Sequence, residues 1–301
     1  MNDSSRVLAA PTAPAASGWA SFWNRGGWWK AVVFAAGYLG LYTGVSLLVG
    51  RLWGSSINTG DLFGDPLSVF VGVALPVIVG AVILFAFAAS VGWLPRPLFA
   101  RQPIRGSWWM WLAPILVGLV ILLRVLGIDW AGYSVGVIAV TFLAGAFVGV
   151  SEELLTRGIA VTLLRRHGYN EWVVAVLSSL LFALLHLSNF IGGQSPVVVF
   201  STVGFAFGFG MMMYLTLRAT GSLIWPIILH ALTDPTTFLA TGGIDVPGTN
   251  TSPFLAIAGL STIVFLLFAL IALIFIRGNT HGRAAADEAA TTPVDAPTRV
   301  A

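Results

Sequence analysis

Residues 172–217, WVVAVLSSLLFALLHLSNFIGGQSPVVVFSTVGFAFGFGMMMYLTL, contain no Asp, Glu, Lys or Arg. The stretch is too long for a single membrane-crossing helix, which needs about 20 residues. Its middle, Asn189-Phe190-Ile191-Gly192-Gly193-Gln194-Ser195-Pro196, is rich in turn residues, so it divides into two spans. The same absence of charge recurs at 31–50, 66–95, 106–123, 131–151, 219–233 and 246–276. The pattern predicts an all-α, polytopic membrane protein of eight transmembrane helices. They fall at 30–50, 67–93, 107–127, 132–165, 172–188, 196–217, 222–240 and 253–276.

Composition agrees. Of 301 residues, 15 are Lys or Arg and 12 are Asp or Glu, so 9% are charged. A soluble domain carries about 25%. So little charge cannot cover a water-exposed surface, which excludes a soluble enzyme, a nucleic-acid binder and a disordered chain. The absence of Cys removes thiol nucleophiles and Cys-ligated metal sites. The first 20 residues, with only Asp3 and Arg6 charged, lack the apolar core of a signal peptide. Targeting therefore falls to the first span.

The chain divides into a flexible tail at 1–26, three spans within 27–130, a helical core at 131–240, a last span within 241–278 and a disordered tail at 279–301. With the N-terminus in the cytoplasm, the inner segments carry twelve basic residues: Arg6, Arg25, Lys30, Arg96, Arg101, Arg105, Arg165, Arg166, Arg218, Arg277, Arg283 and Arg299. The outer segments carry Arg51 and Arg124, against Asp61, Asp65, Asp129 and Asp245. This positive-inside bias places both termini in the cytoplasm, in a cell inner or plasma membrane. Trp28, Trp29, Trp93, Trp108, Trp109, Trp130 and Trp172 fall near span ends as interfacial anchors, whereas Trp111 and Trp225 lie further in.

Ionisable residues inside spans are costly and mark function. Glu152, Glu153 and Arg157 sit in the fourth span. Either that helix ends near Val150 and leaves them among the lipid headgroups, or one long helix runs to Arg165 and buries them. Depth favours the long helix: at 1.5 Å per residue, Glu152 stands about 20 Å from Arg165. His186 lies about 21 Å along the fifth span, and His230 and Asp234 about 12 and 18 Å along the seventh. Three helices thus bring ionisable groups to similar depth. Glu153 and Arg157 share a face, as do Phe182 and His186, and His230 and Asp234, while Glu152 points about 100° away from Glu153. Pro226 is expected to kink the seventh helix. Gly204, Gly208, Phe205 and Phe209 form a close-packing face on the sixth.

A glutamate, two histidines and an aspartate suffice to activate water for hydrolysis. The glutamate takes a proton as general base and returns it to a leaving amine. One histidine orients the water, and the other, beside Asp234, donates to the oxyanion. His186, His230 and Glu152 are equally the candidate ligands for zinc, and the residues alone leave metal-held and metal-free water open. Two other classes compete. A transporter would use buried ionisable residues as a pathway, but no internal repeat supports it. A non-catalytic scaffold or immunity or maturation partner would keep the fold without the chemistry.

Glu152-Glu153-Leu154-Leu155-Thr156-Arg157 resembles the EExxxR motif of the CPBP family, which includes bacterial Abi proteins and type II CAAX prenyl endopeptidases. Phe182-Ala183-Leu184-Leu185-His186 matches its FxxxH motif, and Thr220 to Pro226 followed by His230 and Asp234 matches its third region. The resemblance covers about 140–236, in the family's order. It implies an intramembrane protease of glutamate or zinc type acting on a membrane-associated polypeptide. Glu152 falls at the water-activating position, with His186, His230 and Asp234 around the water and oxyanion and Glu153, Arg157 and Phe182 in support. The family often has Asn where this chain has Asp234, and Asp donates only when protonated. Composition suggests a bacterial source, where the substrate is left open.

Overall fold

The structure, a computed structural model, describes residues 17–244 and 252–278. Residues 1–16, the tail at 279–301 and Asp245 lie outside the described residues. Among those described the chain is wholly helical, without strands.

A short helix α1 (Gly18–Asn24) precedes eight long ones. These are α2 (Trp28–Ser56), α3 (Pro66–Ser90), α4 (Trp108–Gly127), α5 (Val135–Arg166), α6 (Glu171–Phe190), α7 (Pro196–Thr220), α8 (Ile224–Thr241) and α9 (Pro253–Phe275). Part of the stretch expected as a flexible tail, 1–26, is therefore folded. Ser17 caps α1 by accepting from Ala20 N, and Trp23 is buried against Phe22, Phe34 and Phe87. Aromatic packing, which composition does not display, holds it there.

Several helices begin where polar residues cap them. Ser134, Asn170, Ser195 and Ser252 each accept a backbone N–H three residues on, which satisfies a donor otherwise left open. Gly221 and Gly242 end α7 and α8 in the left-handed region, at φ of 72° and 73°, where a Cβ is costly. Outside, the bundle presents large apolar side chains such as Leu47, Ile115, Val197 and Ile274. Such a surface suits lipid and not water. The chain is a multi-pass membrane protein.

Seven helices are long and apolar enough to cross a membrane, not the eight expected. The difference is α8: it is a helix where a span was expected, but His230, Thr233, Asp234, Thr236 and Thr237 dilute its apolar character. Three further expectations are corrected. Pro226 sits in the first turn of α8, where its missing N–H has no partner to lose, so it makes no mid-helix kink; Pro235 is the proline inside the helix. Trp93 is buried, donates to Asn24 Oδ1 at 2.8 Å and lies under the Arg166 guanidinium, so it is core and not an interfacial anchor. Arg124 belongs to the last turn of α4 and is buried, not part of an outer loop.

Two contacts position the site. α5 and α8 pack along each other more extensively than any other described pair. Gly149 makes this possible, because a Cβ there would stand 2.7 Å from Ala231 N and 2.8 Å from Ile227 O. At the Arg165 end of the bundle, buried Glu171 accepts from Arg165 Nε and Nη2 (2.8 and 2.7 Å), Arg218 Nη1 (3.0 Å) and the Tyr214 hydroxyl (2.5 Å). Arg218 Nη2 also donates to the Arg105 and Arg277 carbonyls, at 3.1 and 3.2 Å. This network ties α5, α6, α7, the segment before α4 and the segment after α9.

Candidate active site

The long-helix placement of the glutamates holds, with one irregularity. α5 continues through Glu153 into a π-helical turn at Leu154–Ala160 before its last α-helical segment. Val161 N–H reaches the Thr156 carbonyl, five residues back. Such a turn admits one extra residue and recurs at functional sites.

Glu153 immediately precedes this turn and Arg157 lies at its middle. Arg157 Nη1 donates to Glu153 Oε1 at 3.1 Å and to Thr156 Oγ1 at 2.5 Å, Nη2 donates to the Gly210 carbonyl at 2.8 Å, and the guanidinium stands 4.6 Å from the Phe182 ring centre. Both charges are fully buried. The same Glu153 Oε1 accepts from His230 Nδ1 at 2.8 Å. The carboxylate therefore fixes an imidazole from α8 as well as an arginine one turn on. The His230 ring is wedged edge-on between Phe182 and Phe209, with centres 5.8 and 4.9 Å away.

Glu152 is held differently. Its side chain is 33% exposed, and it lines a cavity of about 790 Å³ together with His186, His230 and Asp234. Oε2 stands 3.6 Å from His230 Nε2, which also faces Asp234 Oδ2 at 3.5 Å. His186 Nδ1 donates to the Phe182 carbonyl at 3.0 Å. A carbonyl only accepts, so Nδ1 carries a proton and Nε2 is the ring nitrogen left uncommitted. Glu152, His230 and Asp234 thus come together directly, His186 shares their cavity, and Glu153, Arg157 and Phe182 form the buried backing.

Among the described residues no group of three or more His, Cys, Asp or Glu side chains is arranged to hold a metal ion. His230 and His186 commit Nδ1 to Glu153 and to the Phe182 carbonyl, which leaves Nε2 of each for a water or a metal alike. The zinc alternative through His186, His230 and Glu152 finds no converging ligand set here, and no step below passes through one.

Three cavity residues escaped the sequence. Tyr38 and Tyr42 line it from α2, and Arg124 lines it from α4. The tyrosines are four apart on an apolar helix, a spacing that signals one shared face. Arg124 was read with the loop that follows it. Phe209, assigned to a packing face, also walls the cavity, while Gly208 beside it does pack closely, a Cβ there falling 2.9 Å from Leu266 N.

Residues 134–236 match the family model described as type II CAAX prenyl endopeptidase Rce1-like. No curated protein and no solved structure matches the chain. The matched segment runs from the cap of α5 into α8 and contains every site residue from Glu152 to Asp234, while α2 to α4 and α9 lie outside it. Over about a third of its length, residues 134–236, this multi-pass membrane protein is thus similar to the type II CAAX prenyl endopeptidase Rce1-like family.

Proposed function

We propose that this protein is an intramembrane endopeptidase that hydrolyses a peptide bond with a water activated by Glu152. One observation carries the assignment: of two adjacent glutamates, Glu153 is locked by Arg157 and His230, whereas Glu152 opens onto the cavity beside His230. A carboxylate in that position is free to take a proton.

Glu152 accepts a proton from water while the hydroxyl adds to the scissile carbonyl carbon. His186, with Nδ1–H committed to Phe182, offers Nε2 to orient that water. His230, carrying both ring protons, donates Nδ1–H to Glu153 and Nε2–H to the developing oxyanion, a preorganised donor of the kind that dominates acyl-transfer catalysis. Asp234 orients His230 from the next turn. Collapse breaks the C–N bond, and protonated Glu152 returns its proton to the leaving amine. The proposal includes eight crossings by α2 to α9, supported by the excess of basic residues in alternate loops, with both termini cytoplasmic.

The test is cleavage of quenched, membrane-proximal peptides by purified protein in lipid, with metal content measured beforehand. Native protein is expected to cleave with and without chelator, and Glu152→Gln to fold but not cleave. Activity lost on chelation and restored by zinc would overturn the metal-free mechanism. Absence of cleavage by both forms would favour the scaffold.

A further inference from the structure

Four arginines are buried among the described residues, and three are answered by carboxylates: Arg157 by Glu153, and Arg165 and Arg218 by Glu171. Arg124 is the exception. It is 8% exposed and lines the same cavity as Glu152 and His230. Its guanidinium forms no hydrogen bond or ion pair with any described residue, and Nη1 is wholly enclosed without a partner. Asp234 lies within its electrostatic reach but is not in ion-pair contact with it; that carboxylate faces His230 instead.

An enclosed guanidinium with no counter-charge in contact is costly, because its hydration is lost and only the more distant Asp234 offsets it. It also retains its planar fork of donors, the geometry that receives a carboxylate through two parallel hydrogen bonds. Apolar side chains, Leu255 and Phe238 among them, line the same cavity together with hydroxyl groups such as Thr237 and Thr241. A peptide entering the cavity carries its own carboxylates and would bring one into a site with little water to compete for it.

We propose that Arg124 is a specificity-determining residue that receives a carboxylate of the peptide substrate inside the cavity. The proposal rests on the peptidase reading above. The carboxylate comes either from the peptide's C-terminus or from an Asp or Glu side chain, and the two sources are separable.

The experiment uses the full chain in zwitterionic detergent and measures binding of fluorescent peptides by anisotropy in a Glu152→Gln background, so the readout needs no turnover. One peptide pair differs only in a C-terminal carboxylate or carboxamide. A second pair, both amidated, differs only in Glu or Gln near the C-terminus. The charged member of one pair is expected to bind roughly ten- to a hundredfold more tightly, the range for a hydrogen bond to a charged group. The pair that discriminates identifies the source. Adding Arg124→Gln should weaken only the charged peptide, down to its neutral twin, and Arg124→Lys should retain part of the preference. Equal binding of charged and neutral members in both pairs overturns the proposal, and needs no variant that has to fold. So does a charge preference that survives Arg124→Gln. If Glu152→Gln still cleaves while the Arg124-dependent preference persists, the water-activation mechanism fails and the anchor stands.

Discussion

His230 Nδ1 stands 2.8 Å from Glu153 Oε1, so the imidazole is oriented by a carboxylate that is itself sealed from the cavity. Its other nitrogen faces the partly open Glu152 at 3.6 Å. Two neighbouring residues of one type thereby hold unlike positions, one in the backing and one at the cavity wall.

That division predicts opposite phenotypes for the same substitution. Glu152→Gln is expected to lower kcat roughly a hundred- to ten-thousandfold, the usual loss with a general base, at little cost in stability. Glu153→Gln leaves the buried Arg157 without its counter-charge and is expected to destabilise by about 3–5 kcal/mol. Thermal unfolding and peptide cleavage, measured on both proteins, separate the two. Equal loss of stability in both would defeat the distinction.

The crossing of α5 and α8 depends on Gly149. A methyl group there meets α8 backbone at 2.7 Å, which no side-chain rotation relieves. Gly149→Ala is expected to cost about 1–3 kcal/mol of stability and to lower cleavage by shifting His230 against Glu152. Gly118→Ala, with nothing within 4 Å, serves as the control and should be neutral or slightly stabilising. The same unfolding midpoint for both would show that the helices are free to separate.

Glu171 accepts from two arginines and a tyrosine at once. Glu171→Gln is expected to destabilise by about 3–5 kcal/mol while the folded fraction keeps its kcat, since no member of the network lines the cavity. Chemical unfolding paired with active-site-normalised turnover tests this. A fall in kcat at unchanged stability would move the network into the reaction.

Asp65 precedes α3 and accepts from the Ser68 hydroxyl at 2.6 Å and the Ser68 N–H at 2.9 Å. The hydroxyl bond and then the backbone bond hold its carboxyl below the usual carboxylate range. Its contribution is therefore complete above the unfolded value, about 3.9, and is lost as pH falls through the depressed one. Asp65→Ala should lower the melting temperature at neutral pH, with the gap from native protein closing in strong acid. A gap independent of pH would show that the ionised cap contributes nothing.

Charge-free stretches revealed the helices because lipid forbids what would interrupt them, and the observed ends follow the capping residues closely. Depth along each helix was legible only coarsely: the count sets Glu152 about 20 Å and His230 about 12 Å from the same side, yet the two side chains face each other at 3.6 Å. Rotation was not legible. Nothing in the sequence says that Glu153, and not Glu152, takes Nδ1 of His230, since that depends on how α8 is turned against Gly149. Arg124 illustrates a related limit. Three residues before the end of α4, it fits a loop or an inward face equally well, and only packing decides. Trp93 looked like an anchor for the same reason, its indole N–H having found Asn24 across the chain.

The π-helical turn at Leu154–Ala160 sets the phase between the two ends of α5. Above it lie the glutamates, and below it Arg165 is fixed to Glu171. Removing one residue from the turn would restore regular winding and rotate one end against the other by about 100°. Arg165 and the glutamate pair could then no longer both keep their present partners. The wide turn works as a gear ratio: it lets a helix anchored at one end deliver the correct one of two adjacent carboxylates to the cavity at the other.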